Sequence, residues 1–182
     1  MRATIFGDYI YPSPNASVDN GLLAGGTGLL TDGVGATVNW DQGPNPTGSY
    51  QGQYLGWLIN PTITFFFSQA VALTHVRVAF DIANSGGVSA PGATTINGVQ
   101  YATTVPGGSA PFWEDYDVTG QPSSTFAKLD FTRTSQWIMI SEVQFQGSVV
   151  TTTPEPASLA LLATGFVGVM GVARRRRSAR TA

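Results

Sequence analysis

Residues 76–82 read VRVAFDI, and this stretch decides the fold. Val76, Val78, Phe80 and Ile82 alternate with Arg77, Ala79 and Asp81. Successive side chains of a strand point to opposite faces, so a period of two predicts a half-buried strand with one face on a core. The same pattern continues outward. Upstream, Thr62-Ile63-Thr64-Phe65-Phe66-Phe67 is a short apolar run suited to a buried strand. Downstream, Thr95-Ile96 and Val99-Gln100-Tyr101 flank Asn97-Gly98, a strong signal for a two-residue hairpin turn. Phe126 to Phe131 alternates through Leu129, and Trp137-Ile138-Met139-Ile140 runs into Glu142-Val143-Gln144-Phe145, a central strand leading to an edge or loop. Stretches rich in Gly, Pro and Ser at 85–93, 105–111 and 120–124 read as the loops between them. Tyr9 to Gly28, rich in Pro, Asn, Ser and Gly, reads as part of an extended N-terminal arm over residues 1–28. The expected fold is all-β: an antiparallel jelly-roll sandwich over residues 1–149, with no helix before the C-terminal tail.

Composition supports this class and excludes others. The chain of 182 residues has room for one domain with a real core, and its 22 Gly and 11 Pro suit many turns. It has no cysteine, so neither disulfides nor thiolate metal sites contribute. His75 is the only histidine, which leaves no zinc cluster and no supported catalytic triad. Residues 1–153 hold four basic side chains (Arg2, Arg77, Lys128 and Arg133) and ten acidic ones. An acidic body argues against nucleic acid as a partner, and suits calcium or neutral glycans better.

The tail reverses that charge. Pro154-Glu155-Pro156 is followed by an uncharged apolar run from Ala157 to Ala173 and then by Arg174, Arg175, Arg176 and Arg177. As a helix rising about 1.5 Å per residue the run spans roughly 25 Å, a short but adequate crossing of the inner membrane. The arginines stay in the cytoplasm and the body lies outside. The expected organisation is therefore a linker at 150–156, a transmembrane helix at 157–173 and a basic cytoplasmic tail at 174–182. This ordered triplet of features resembles the PEP-CTERM sorting signal of Gram-negative bacteria. The resemblance implies an exported protein that is handled by an exosortase-type membrane peptidase at Pro154, Glu155 and Pro156. Many proteins of this kind belong to organisms that make extracellular polysaccharide, so a matrix or cell-surface location is implied after processing. Residues 1–20 carry no basic segment followed by an apolar run, so a leader peptide is expected upstream of Met1.

The body carries a second resemblance. LLTDGVGATVNW, Leu29 to Trp40, and WIMISEVQFQG, Trp137 to Gly147, are similar to segments of the galactose-binding-like, discoidin-type sandwich found in many carbohydrate-binding modules. The family often holds a structural calcium near its chain ends, which implies Asp32, Thr37 and Glu142 as ligands here. Calcium takes six to eight oxygens, so carbonyls would complete the shell. The sequence departs from the pattern at Val34, where the family often has a second acidic residue. Independently, Phe112-Trp113-Glu114-Asp115-Tyr116-Asp117 packs aromatics and carboxylates into one segment. Sugars stack their C–H faces on aromatic rings and donate hydroxyls to carboxylates, so Trp113, Tyr116 and Asp115 are the candidate ligand-binding residues, with Trp40, Trp57 and Tyr54 able to contribute. Asp115 and Asp117 could pair as in a glycosidase, but a small sandwich offers little cleft, and no catalytic residue is assigned. The reading is a non-catalytic exported protein whose sandwich binds or organises polysaccharide. A purely structural matrix protein without specific ligand and a glycan-active enzyme are the alternatives.

Overall fold

The computed structural model describes residues 30–42, 54–83 and 85–151, together with the backbone of Tyr9–Ile10. The two strands expected around VRVAFDI are one. No Gly or Pro interrupts residues 62–80, so nothing turns the chain, and β3 runs from Thr62 to Phe80. Its halves serve different layers. Val71–Phe80 lies between β8 (Ile138–Val149) and, at residues 75–80, β6 (Phe112–Asp117), and β2 (Leu55–Trp57) extends the layer beyond β8. Thr62–Phe66 lies between β1 (Tyr9–Ile10) and β7 (Ser124–Thr132). That second layer continues through β4 (Ala93–Ile96) to β5 (Val99–Ala102). Pairing is antiparallel in every ladder between the named strands. The register against β7 shifts between Phe66 and Val71, where the strand passes from one layer to the other.

Rings zip the layers together. Phe65 and Phe67, before the crossing, set edges against Phe145 of β8 at centroid distances of 5.0 and 5.4 Å. Phe80, after the crossing, meets Phe131 of β7 edge-on at 5.8 Å. Burying each such side chain stabilises the fold by roughly 1.5–3 kcal/mol, less where the unfolded chain already shields it.

The hairpin forms as its dipeptide dictates. Ile96 pairs with Val99 across Asn97 (φ 50°) and Gly98 (φ 87°), the left-handed pair that a type I′ turn requires. Other expectations are corrected. Tyr9–Ile10, within the expected arm, is a strand against Thr64 and Phe65. Phe66 is not buried with its neighbours: alternation sends Ile63, Phe65 and Phe67 inward and leaves Phe66 outside, 38% exposed. β2 escaped the sequence reading because three residues with a central glycine carry no periodic signal. The chain divides at Val150 from the segment beginning at Thr151. Among the described residues no helix is long and apolar enough to cross a membrane, and the expected span at 157–173 lies outside them.

Candidate functional site

The ladders β6–β3 and β3–β8 align three rows across the outer face of the first layer. Trp113, Ala79 and Glu142 form one row; Asp115, Arg77 and Gln144 the next; Asp117, His75 and Gln146 the third. They face outward because their neighbours Val76, Val78, Val143 and Tyr116 are buried in the core. The face is therefore polar by the same alternation that builds the core.

Loop 30–42 roofs the first row. Leu30 O accepts the Val143 N–H at 2.7 Å, Ser141 Oγ accepts the Ala36 N–H at 3.1 Å, and Asp81 Oδ2 accepts the Trp40 N–H at 2.7 Å. Gly35 passes so close to Trp113 that a Cβ there would lie 2.3 Å from the indole Cζ2. Gly33 donates its N–H to Glu142 Oε1 at 3.1 Å.

This roof brings Asp32 to Glu142. Glu142 is 2% exposed, and its Oε2 has no partner among the described hydrogen bonds. Burial first, then the charge of Asp32, pushes its carboxyl up to about 8, against the hydrogen bond from Gly33. Asp32 is exposed, so it is the buried Glu142 carboxyl that needs a proton or a cation. As arranged, a proton on Glu142 meets that need. For calcium the Asp32–Glu142 pair supplies two carboxylate ligands, while Thr37 is exposed and no group of three or more His, Cys, Asp or Glu forms a metal cluster among the described residues. Most of the six to eight oxygens of a calcium ion would have to be carbonyls and water.

The remaining rows are open. Asp115 Oδ1 lies 3.0 Å from His75 Nδ1 and its Oδ2 lies 3.7 Å from Arg77 Nε, with half of the Asp115 side chain exposed. The Arg77 guanidinium sits 4.9 Å from the centroid of the Trp113 ring. Trp113 is thus half-buried between Arg77 and Gly35, and one ring face is already occupied. Tyr116 is elsewhere. Three positions from Trp113 on a strand, it points to the opposite face and is 2% exposed. Its hydroxyl bonds Thr94 Oγ1 at 2.8 Å and Thr103 Oγ1 at 3.0 Å, joining the layers. It offers no surface to a ligand, which corrects the expectation from sequence. Trp57 and Tyr54 are buried too, the latter donating its hydroxyl to Val38 O. Arg77, Gln144 and Gln146 were not offered as site residues from sequence, and His75 was set aside there as a strand residue without chemistry. Their alternation was visible, but their meeting with β6 depends on long-range register. The sorting residues Pro154, Glu155 and Pro156 and the arginines 174–177 lie outside the described residues.

The comparisons with known proteins follow this division. Residues 152–177 match the PEP-CTERM protein-sorting motif. No curated protein matches the chain. Among solved structures, the domain is similar to an F-lectin (fucolectin) from the serum of the striped bass, Morone saxatilis, at TM-score 0.50 and 15% identity. That match covers 83% of this chain and 48% of the lectin, so the chain spans about half the length of that protein. A carbohydrate-binding module, CBM32-2 of a GH31 protein, solved bound to GalNAc, is similar at TM-score 0.44 and 14% identity over 78% of this chain and 99% of the module. The body is thus an antiparallel β-sandwich with the discoidin-type fold of that lectin. The chain as a whole is such a sandwich followed by a PEP-CTERM sorting motif.

A pH dependence follows from Glu142. Its folded-state value, about 8, lies above the ordinary 4.5, so the folded domain holds a proton that the unfolded chain releases between those values. Stability is therefore greatest at low pH within this window and falls as pH rises toward about 8. In Glu142→Gln, which keeps the Gly33 acceptor and a donor toward Asp32, the melting temperature should lose this slope. Melting of both forms from pH 5 to pH 8, with calcium and with chelator, is the measurement. An unchanged slope in Glu142→Gln would remove the proton from Glu142; a calcium-dependent rise that disappears in Asp32→Ala would place a cation there instead.

Proposed function

We propose that the chain is an exported protein, cleaved by an exosortase-type membrane peptidase near Pro154–Pro156, whose sandwich binds polysaccharide at the cell surface or in the extracellular matrix. The sorting half rests on one observation, the match of residues 152–177 to the sorting motif. A Pro-Glu-Pro sequence favours an extended backbone, the form in which a peptidase reads a short recognition motif. The apolar run at 157–173 anchors it in the inner membrane, and Arg174–Arg177 set its depth from the cytoplasmic side. Mass spectrometry of the mature C-terminus from the native host should find the body without the apolar run, and Glu155→Ala should block this processing. An intact arginine-rich terminus on the surface protein, indifferent to Glu155→Ala, would leave an ordinary anchor.

The binding half is supported by the open rows of the outer face. Asp115 and the side-chain amides of Gln144 and Gln146 accept and donate hydrogen bonds beside the cationic Arg77, a spacing suited to the hydroxyls of a neutral glycan. Sugar recognition here relies on hydrogen bonds more than on stacking, because Arg77 already covers Trp113. The fold shared with a fucolectin agrees with this reading. A calcium ion at Asp32 and Glu142 would be structural, pinning the roof loop. On a glycan array, Asp115→Ala should weaken binding of any retained glycan about tenfold, the scale of a lost hydrogen bond to a charged group. Gln100→Ala, on β5 in the other layer, should leave it unchanged. A folded protein that retains no glycan would favour the purely structural matrix role.

A further inference from the structure

Phe66 and Phe126 are direct partners across β3 and β7, and 38% and 43% of their surfaces are exposed. The next pairs along that face are polar: Thr64 opposite Lys128, and Thr62, which donates to Asp130 at 2.5 Å. The aromatic pair is therefore confined to one end of the five-stranded layer. That end is where the chain leaves the domain. Val150 donates its N–H to Ala70 O at 2.8 Å, four positions along β3 from Phe66. Val149 pairs with Val71, whose partner on the other side is Ser124, two positions before Phe126. Val149 and Val150 are themselves 47% and 41% exposed.

From Val150 the apolar run begins at Ala157, seven peptide links on, a reach of at most about 25 Å. We propose that Phe66 and Phe126, at the end of the domain from which Val149 and Val150 lead out, form a membrane-docking surface that rests in the headgroup region of the bilayer holding the apolar run. This rests on the reading of the tail as a membrane attachment. A short tether raises the local concentration of the domain at the bilayer to the millimolar range, so a small apolar patch is enough to bias its orientation. Exposed aromatic rings favour the interfacial zone, while Lys128, next along the ladder, is paired with Asp130 at 3.5 Å and leaves that part of the face without net charge. After cleavage the tether is gone, and the patch alone binds lipid too weakly to retain the domain.

The absence of cysteine makes the test direct. Phe66→Cys, Phe126→Cys and Ile59→Cys variants of the full chain each take a single environment-sensitive fluorophore. Ile59, 50% exposed, precedes the opposite end of β3. The probe membrane is a vesicle of phosphatidylethanolamine and phosphatidylglycerol carrying a headgroup-level nitroxide lipid. Label at positions 66 and 126 should be quenched several-fold more than label at 59, while all three chains float with the vesicles. In Phe66→Ser/Phe126→Ser, a label placed by Val149→Cys should lose most of its quenching without loss of flotation. Equal quenching at all positions on floating chains overturns the docking surface and leaves the attachment standing. Chains that fail to float overturn both. Cross-linking between position 126 of two copies, without lipid quenching, replaces the bilayer by a second copy of the chain and overturns the proposal.

Discussion

Phe145→Ala should lower the stability of the domain by about 4 kcal/mol, the scale of a buried phenylalanine truncation that leaves a cavity. Phe145 is 3% exposed, and the edges of both Phe65 and Phe67 contact it. Those two rings belong to the half of β3 in one layer, and Phe145 belongs to the other. The void therefore opens between the layers, where neither sheet can close it without sliding against its own ladders. For a domain of this size the melting temperature should fall by roughly 10 °C. Phe126→Ala is the control, the same side chain removed from an exposed position, and should cost no more than about 1 kcal/mol. Thermal and urea unfolding of both variants is the measurement. Equal losses would mean that the inter-layer rings do not hold the sandwich together.

Gly147→Ala comes next, at about 3 kcal/mol, the upper range for an added methyl group in a full space. A Cβ at Gly147 would stand 2.4 Å from Ala72 O and 3.0 Å from Leu73 Cα. Both are backbone atoms of the central strand, so no side chain can rotate out of the way. The close approach arises at an irregularity, since the β3–β8 register shifts between Leu73 and His75, just beside the Leu73–Gly147 pair. Gly107 has nothing within 4 Å of such a Cβ, and Gly107→Ala should be neutral or slightly stabilising. If the urea midpoints of the two variants agree, Gly147 is not the constraint on this pair.

Several features were legible because their causes are local. Alternation in VRVAFDI placed Val76, Val78 and Phe80 on one face, and the structure buries all three. Asn97-Gly98 adopts its turn because two adjacent left-handed residues are a property of the dipeptide. The tail motif is a linear order of proline, apolar and arginine residues, complete without any fold. Even the separation of Trp113 from Tyr116 was implicit, since a spacing of three puts them on opposite faces of any strand.

Which of those faces is core was not implicit. That depended on β6 pairing with β3 in the register that sets Tyr116 beside Val76 and Trp113 beside Ala79. The meeting of Asp115, Arg77 and Gln144 has the same origin, as does the packing of Gly35 on Trp113 and of Gly33 on Glu142. The passage of β3 between layers also escaped the residues themselves, for Ser68 and Gln69 carry no turn signal. By itself the sequence determined strand faces, the hairpin turn and the sorting tail, because backbone sterics and side-chain period act over a few residues. Only the tertiary structure decided which faces meet and which residues share a site, because register is a contest among ladders between segments far apart in the chain, settled by the burial of the whole core.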